Sequence, residues 1–359
     1  MNRKILLAHF SKITMKRYRE LMAGFSDLEA AWQAKLTELI KIGWEENYAH
    51  EFLLWKEKID EDKTQKILEQ EKIHCVFAED EEYPPLLKEI YDPPFCLFVR
   101  GALTGLSYPL AVVGSRQFSL YGKQVTEEMV TELARKGITI VSGLALGIDG
   151  IAHQTALDAN GKTIAVLGSG NDRQHIFPSG HRHLADKIVA GGGAVITEYP
   201  PGMMPTQYTF PRRNRIIAGI SLGTLIVEAG EESGALITGQ CALDNGREVF
   251  AVPQNITSPT AVGVNNLLKV GAHPVTSAED ILNALNLRDV AEYVTNSVIL
   301  PDSPIEAKLL EHLSREPLHV DQLIKRSALD SPTVNSTLTM MEMKGKVRNV
   351  GGMQYVLAR

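Results

Sequence analysis

The chain contains 359 residues, a length that predicts two or three domains rather than one. Hydrophobic residues account for 44% of it and charged residues for 22%, which excludes a disordered or fibrous chain. The formal net charge of −6 argues against a surface that coats duplex DNA nonspecifically. The three cysteines are too few and too scattered for a disulfide framework or a CxxC metal site. No run approaches about 18 apolar residues, so we expect a soluble, cytoplasmic protein without a membrane span.

Residues 1–80 are predicted to form a domain of short helices, because apolar side chains recur there at spacings of three and four. Two proline pairs, Pro84–Pro85 and Pro93–Pro94, then interrupt any regular helix and are typical of an extended segment. We therefore place the start of the second domain at residue 81.

Residues 81–290 are predicted to form an α/β domain built on a doubly wound parallel sheet of the extended Rossmann type. Short β-branched runs alternate there with helical patterns, which specifies βαβ crossovers. The predicted strands are 110–114, 138–143, 163–168, 193–198, 224–229 and 248–253. Ligands of such sheets bind beyond the carboxyl ends of the strands, so the residues after each run are the candidate site.

The last part of the chain is predicted to be a linker, 291–303, and a winged-helix-like domain, 304–359. Its third helix is predicted to begin after an N-cap at Asp330 and to end at Gly345, and a hairpin follows around Gly351–Gly352. This module carries eight basic and six acidic residues from Ser303 onward, a balance of +2. Winged helices bind DNA or dock proteins, and this slight charge leaves both roles open.

The turn after the first predicted strand of the α/β domain has the residues of an anion site. Gly114 permits a tight turn, while Ser115 and Arg116 supply a hydroxyl donor and a bidentate cation before a helix N-terminus. A purely structural glycine-serine turn is the alternative.

The loop after the second strand contains Gly143, Ala145 and Gly147, which let backbone approach a ligand closely at a helix N-terminus. Asp149 and His153 follow within that helix. We assign them supporting roles, Asp149 as the helix cap and His153 as its hydrogen-bond partner.

The most informative stretch lies between Tyr199 and Val227, which contains three arginines and no acidic residue. Arginines clustered with an aromatic ring supply phosphate contacts and a stacking surface, the two features that single-stranded nucleic acid uses. The candidate residues are Phe210, Arg212, Arg213, Asn214 and Arg215. The structural alternative is a solvated helix start with Arg215 bonded to a carboxylate such as Glu228.

Glu228 ends the fifth predicted strand and could be catalytic or could pair with an arginine. Together with Gly223 and Thr224 it partly resembles a motif of nucleotide phosphoribohydrolases of the lysine-decarboxylase-like group, which is our alternative function. The Pro-Gly-Gly of that motif is replaced here by residues 220–222, Ile-Ser-Leu. Because no hydrolase or Walker-type motif appears, we predict no catalytic residue, no metal and no cofactor, and give Glu228 a supporting role.

These motifs, taken in chain order, resemble the DprA/Smf family of bacterial DNA-processing proteins. The matching segments are 83–87, 93–101, 111–122, 140–153, 197–202, 210–219, 227–238 and 246–253. The resemblance implies an extended Rossmann domain between a sterile-alpha-motif-like or helix-hairpin-helix-like domain and a winged helix. It also implies a cytoplasmic homodimer, without enzymatic activity, that binds and protects incoming single-stranded DNA and loads RecA during natural transformation.

Carried over to this sequence, the resemblance gives Ser115 and Arg116 as phosphate ligands and Phe210 as a stacking ring. Arg213, Asn214 and Arg215 would line the pocket, and residues 143–147 would offer backbone N–H groups. Two positions depart from the family pattern, since Gln254 and Asn255 follow Ala-Val-Pro and Phe177–Pro178 replaces Tyr-Pro.

Overall fold

The chain divides into two compact units, residues 1–288 and 289–359. The computed structural model describes residues 2–287, 303–313, 318–327, 329–344 and 346–357. Most of the predicted linker 291–303 and the predicted helix end at Gly345 lie outside the described residues. Within those ranges, no helix combines the length and the hydrophobicity that crossing a bilayer requires.

The first unit begins with short helices, as the spacing of apolar residues predicts. They are α1 (Arg3–Ala8), α2 (Met15–Gly24), α3 (Leu28–Trp32), α4 (Leu36–Lys41), α5 (Glu46–Lys58) and α6 (Glu61–Glu71). Side chains of Thr14, Asp27 and Asp60 accept backbone N–H groups and fix the starts of three of these helices. Phe10 and Phe52 pack edge to face at 5.5 Å within the buried cluster that joins the helices.

The rest of this unit is a sheet flanked by helices. In chain order it contains β1 (Ile73–Phe77), α7 (Pro85–Lys88), β2 (Cys96–Gly101), β3 (Leu110–Val113), α8 (Leu120–Arg135), β4 (Ile140–Ser142), α9 (Ile148–Asp158), β5 (Thr163–Val166), α10 (Arg182–Ala190), β6 (Ala194–Thr197), α11 (Thr209–Ile220), β7 (Gly223–Ile226), α12 (Gly234–Asp244), β8 (Glu248–Ala251), α13 (Val262–Lys269), β9 (His273–Pro274) and α14 (Ala278–Ala284).

The strand order across this sheet is β1-β2-β6-β5-β4-β3-β7-β8-β9. Strands β3 to β9 pair in parallel with their neighbours among themselves, whereas β2 is antiparallel to both β1 and β6. The predicted doubly wound parallel sheet is therefore confirmed, with the six predicted strands appearing as β3 to β8. Strands β1, β2 and β9 were not predicted from the sequence. Of these, β1 falls inside the range predicted to be helical.

Both faces of the sheet are covered, because alternate residues of each central strand face opposite helical layers. Along β3, Leu110 and Val112 belong to the core beneath α8, α9 and α14. Ala111 and Val113 belong to the opposite core beneath α7, α11 and α12. Full coverage of both faces explains why the strands are continuous apolar runs rather than alternating ones.

β3 and β7 define the point where the strand order reverses. The chain runs from β3 through β4 and β5 to β6 on one side and then returns to β7 and β8 on the other. A crevice forms beyond the carboxyl ends of the two strands at such a reversal, where ligands of these sheets bind. Gly114 and Glu228 lie close to these two strand ends.

The second unit contains α15 (Pro304–Leu310), β10 (Leu318–His319), α16 (Val320–Ser327), α17 (Ser331–Met343), β11 (Val347–Gly351) and β12 (Gln354–Leu357). Its strands pair antiparallel in the order β10-β12-β11. Asp330 caps α17 by accepting the N–H of Thr333 at 3.2 Å, as predicted. Buried apolar residues of all three helices form one core, which gives the predicted winged-helix arrangement.

A matched pair of substitutions on α8 tests this packing. Leu133 is fully buried and Leu120, on the same helix, is 86% exposed. We expect Leu133→Ala to lower the free energy of unfolding by about 2–5 kcal/mol, because it removes buried atoms and leaves a cavity. Leu120→Ala should change it by less than about 0.5 kcal/mol. Urea denaturation of both variants measures the difference, and equal losses would contradict the assigned core.

Candidate nucleic-acid interface

A groove of about 1050 Å³ lies beyond the carboxyl ends of β3 and β7. The structure brings most of the sequence candidates together in its lining. These are Gly114, Ser115, Arg116, Ala145, Asp149, Phe210, Arg213 and Asn214. Four predicted DNA-binding residues are not part of it, namely Gly143, Gly147, Arg212 and Arg215, and neither are the predicted supporting residues His153 and Glu228.

The turn after β3 holds Arg116 at the rim of the groove. The backbone N–H of Ser115 donates to the carbonyl of Glu228 at 2.8 Å, and its hydroxyl donates to the carbonyl of Gln117 at 2.8 Å. These bonds close the turn and leave Arg116 exposed, with its guanidinium 5.8 Å from the centre of the Phe210 ring. Among the described residues, Arg116 makes no ion pair within 4.0 Å. Arg116 is therefore a cation available to a ligand.

Phe210 and Phe177 form an aromatic wall beside Arg116. Their ring centres lie 5.7 Å apart, Phe210 is half-buried, and Phe177 is 48% exposed. In the sequence, Phe177 stood out only as a departure from a family pattern, and its place in the groove was not predicted. Its one sequence signal was an aromatic residue in the loop after β5, and only the fold brings that loop to the start of α11.

Arg213 forms the buried floor of the groove. It is 4% exposed, and its Nη1 donates to the carbonyl oxygen of Val166 at the end of β5. Burial lowers the pKa of Arg213 to about 10, and the nearby Asp149 carboxylate opposes this shift. Arg213 therefore stays charged at neutral pH.

The glycine loop after β4 packs around this buried arginine. A Cβ at Gly143 would collide with the Arg213 guanidinium, and a Cβ at Gly147 would collide with the carbonyl oxygen of Ser115. The N–H groups of Gly143 and Ala145 donate to Asp149 Oδ2 at 3.1 and 3.4 Å. The prediction that these two N–H groups face a ligand is therefore wrong, because a buried carboxylate already accepts them.

Arg212 and Arg215 lie on the side of α11 that faces away from the groove. Arg215 donates from Nη2 to Glu198 at 2.7 Å and from Nε to Asp92 at 3.3 Å. Arg212 lies within 4.0 Å of the same two carboxylates. Positions 210, 213, 214 and 217 share one helical face. The prediction that Arg215 lines the groove is therefore wrong. Arg215 instead bonds to carboxylates, as in the structural alternative, with Glu198 and Asp92 as its partners in place of Glu228.

Asn214 and Glu228 hold neighbouring elements at the groove. Asn214 Nδ2 donates to the carbonyl of Gly234 at 3.2 Å, which fixes the start of α12. Glu228 is fully buried and accepts from the Ser119 N–H at 2.9 Å, the Ser119 hydroxyl at 2.6 Å and the Thr260 hydroxyl at 2.9 Å. Glu228 therefore ties the end of β7 to the start of α8, and its partners are Ser119 and Thr260 rather than the arginine of one alternative.

His153 lies in the core behind the groove. Its Nδ1 is 2.7 Å from the Thr163 hydroxyl, which itself donates to the carbonyl of Ile140 at 2.7 Å. Because that hydroxyl has one proton to give, Nδ1 of His153 must be the donor. His153 therefore bonds to Thr163, whereas the sequence had predicted a bond to Asp149. Burial lowers the pKa of His153 to about 3.

This buried histidine predicts a pH dependence of stability. The unfolded chain binds a proton at His153 below pH 6.5, whereas the folded chain does so only near pH 3. The free energy of unfolding should therefore fall by about 1.4 kcal/mol for each pH unit on acidification through that window. Urea denaturation at several pH values should show a shallower decline for His153→Gln than for the unsubstituted protein. Equal slopes in the two proteins would contradict the assignment.

Comparison with known proteins gives independent evidence on this fold. The family model described as DNA recombination-mediator protein A matches residues 74–286, and a DprA winged helix domain model matches residues 297–353. Protein Smf of Escherichia coli K12 is 44% identical over 292 residues, covering 79% of this chain and 78% of that protein. DNA processing protein DprA of Bacillus subtilis is 44% identical over 223 residues, covering 62% of this chain and 74% of that protein.

Solved structures of DNA-processing proteins also resemble this chain. DNA processing protein A of Streptococcus pneumoniae superimposes with a TM-score of 0.67 at 35% identity, covering 79% of this chain and 98% of that one. DNA processing protein A of Helicobacter pylori, solved in a study of its single-stranded DNA binding mode, gives a TM-score of 0.53 at 28% identity. That match covers 60% of this chain and 96% of the other. The fold is thus that of a DNA-processing protein. The chain belongs to the DNA recombination-mediator protein A family, the DprA/Smf family that its sequence resembles.

Proposed function

We propose that this protein binds single-stranded DNA in the groove between the ends of β3 and β7, without catalysing a reaction on it. The observation that carries the proposal is the Arg116 guanidinium set 5.8 Å above the Phe210 ring. A cation without an acidic partner can bind a phosphate, and the adjoining Phe210 and Phe177 rings can stack on bases. The single-stranded DNA binding mode studied in the Helicobacter pylori relative supports the same ligand.

The charge distribution favours a single strand over a duplex. The whole chain carries −6, and the groove lining includes Glu232 as well as Arg116. Positive charge is therefore confined to one part of the groove rather than spread over a face. A flexible strand can place its phosphates and unstacked bases at such a point, whereas a duplex relies on a broad basic surface.

Arg213 and Glu228 have positioning roles in this proposal. Arg213 is buried, its Nη1 donates to the carbonyl oxygen of Val166, and the nearby Asp149 carboxylate favours its charged form. Glu228 has both carboxylate oxygens bonded to the hydroxyl and amide groups of neighbouring loops. We propose that both residues fix the shape of the groove while Arg116 and the phenylalanines contact DNA.

Membership of the family supports a further part of the proposal. We infer that the protein acts as a cytoplasmic homodimer that protects incoming single strands and loads RecA onto them during natural transformation. These roles require bound DNA, so they depend on the groove. No residue of this chain is assigned to RecA contact or to the dimer.

Substitutions in the groove test DNA binding. We expect Arg116→Ala to weaken oligo(dT) binding and to lower the salt slope by about 0.7, because one phosphate contact is lost. Phe210→Ala should weaken binding by about 1–3 kcal/mol, the value of one stacked base. Gel shifts or fluorescence anisotropy across a salt series measure both effects.

The matched control is Arg135→Ala, an exposed arginine in the last turn of α8, outside the groove lining. It should bind oligo(dT) like the unsubstituted protein. If folded Arg116→Ala and Phe210→Ala variants also bound normally, the groove would not be the DNA site.

The RecA role is tested by RecA's ATP hydrolysis on single strands precoated with a single-strand-binding protein. We expect this protein to shorten the lag before hydrolysis begins, because it delivers RecA to the coated strand. Arg116→Ala should restore much of the lag, since it binds the strand less tightly. A lag unchanged by the unsubstituted protein would remove RecA loading from the proposal and leave DNA binding intact.

A further inference from the structure

A second concave surface lies beside the DNA groove, on the opposite side of α11. It is a cleft of about 860 Å³ between α2 and the loop that follows α7. Four basic side chains, Lys16, Arg17, Arg19 and Lys88, line it together with Trp44 and Tyr91.

The start of α11 connects the two surfaces. Phe210 and Arg213 line the groove, whereas Arg212 and Arg215 contact Asp92, which lines the cleft. Tyr208, at the N-terminus of this helix, is 75% exposed, and its carbonyl accepts the N–H of Arg212. An exposed aromatic ring and a partly exposed arginine therefore lie at the helix start, between groove and cleft.

The cleft is positive in a region that is otherwise acidic. Residues 1–100 contain 15 basic and 19 acidic residues, yet residues 2–19 contain six basic residues and no acidic one. The lining contains three acidic residues. Asp92 is bound by Arg215, and Glu20 lies 3.9 Å from Lys16, so Glu45 is the remaining acidic residue of the lining.

Two of the cations are free to bind a ligand. Arg19 and Lys88 are exposed and make no ion pair within 4.0 Å in the part of the chain that the structure describes. The ammonium group of Lys88 lies 5.9 Å from the centre of the Tyr83 ring, and the guanidinium of Arg17 lies closer to a ring, 3.7 Å from the centre of Tyr48. The cleft therefore presents uncompensated positive charge at two places on its wall.

Tyr91 presents a fully exposed aromatic ring at this cleft. Its loop is constrained, because Pro93 and Pro94 follow it and Arg215 binds the adjoining Asp92. A ring held on a constrained loop loses little conformational freedom when a flat ligand stacks on it. Exposed aromatic rings beside uncompensated cations are the combination that binds single-stranded nucleic acid.

We propose that a DNA strand held in the groove continues around the start of α11, past Tyr208 and Arg212, into this cleft. There Arg19 and Lys88 bind its phosphates and Tyr91 stacks on a base. The inference rests on the proposed function of the groove and extends the binding path onto the N-terminal helices. The ligand is a single strand, because the path turns around a helix of about 10 Å diameter, whereas duplex DNA stays stiff over about 150 base pairs.

The test compares DNA length with affinity. The variants are Tyr91→Ala and the double variant Arg19→Ala/Lys88→Ala, with Lys66→Ala, an exposed lysine outside the cleft on α6, as the matched control. Oligo(dT) of about 4 to 16 nucleotides covers the span of known single-strand sites. We expect all proteins to bind the shortest oligomers equally, because these fill only the groove.

On the longest oligomers, each cleft variant should bind about tenfold more weakly than the unsubstituted protein and the control. The double variant should also lower the salt slope by about 1.4, since two phosphate contacts are lost. In the unsubstituted protein, long oligomers carrying 5-iodouracil should photo-crosslink to Tyr91, and short ones should not.

Three results separate the possible failures. Normal binding of long oligomers by folded cleft variants, with no crosslink at Tyr91, would overturn the inference. If those variants instead changed the mass of the protein measured by light scattering while binding DNA normally, the cleft would be a protein interface and the inference would also fail. If Arg116→Ala left binding of short oligomers unchanged, the proposed function of the groove itself would fail.

Discussion

The groove depends on one buried charge, the guanidinium of Arg213. A buried cation is costly unless hydrogen bonds and an opposite charge compensate it. Arg213 meets this requirement in part, through the carbonyl of Val166 and the nearby carboxylate of Asp149, while its buried Nε has no hydrogen-bond partner among the described residues. Its position fixes the rotation of α11 about its own axis, which in turn decides that Phe210 faces the groove. Gly143 is required at the point of contact, because any side chain there would meet the guanidinium.

Glu228 is a buried anion whose charge is likewise compensated by hydrogen bonds. Its buried carboxylate accepts bonds from Ser119 and Thr260, which belong to loops on either side of the groove. Under the proposed function, neither Arg213 nor Glu228 needs to touch DNA to matter for binding. They hold rigid the loops that carry Arg116 and the aromatic wall, so less conformational entropy would be lost when a strand binds.

Much of this architecture could be predicted from the sequence, because strands buried on both faces are continuous apolar runs ending in glycine or serine. The runs that became β3 to β8 and the turn at Ser115 and Arg116 carried such local signals. The strand β2 did not, since the prolines before it are equally typical of an extended linker. Only its antiparallel pairing with β6 reveals it as part of the sheet.

The arginine stretch shows a second limit of sequence reasoning. Helical periodicity separates Arg213 from Arg212 and Arg215, yet it does not say which face meets a ligand. That choice depends on Asp92 and Glu198, carboxylates from distant parts of the chain that pair with the outer face. The place of Phe177 in the aromatic wall likewise depends on how its loop folds over the sheet edge.

The pairing of β1 with β2 has a consequence for the N-terminal helices. β1 follows α6 directly, and its five residues pair with Cys96–Arg100 of β2. Without residues 1–80, the backbone N–H and C=O groups on that side of β2 would have no strand partner, and Phe98 would lose the helices that cover it. Open strand edges beside exposed apolar surface are templates for aggregation. The helices therefore act as a protective cap on the sheet, and a protein shortened to its α/β domain would be prone to associate through that edge.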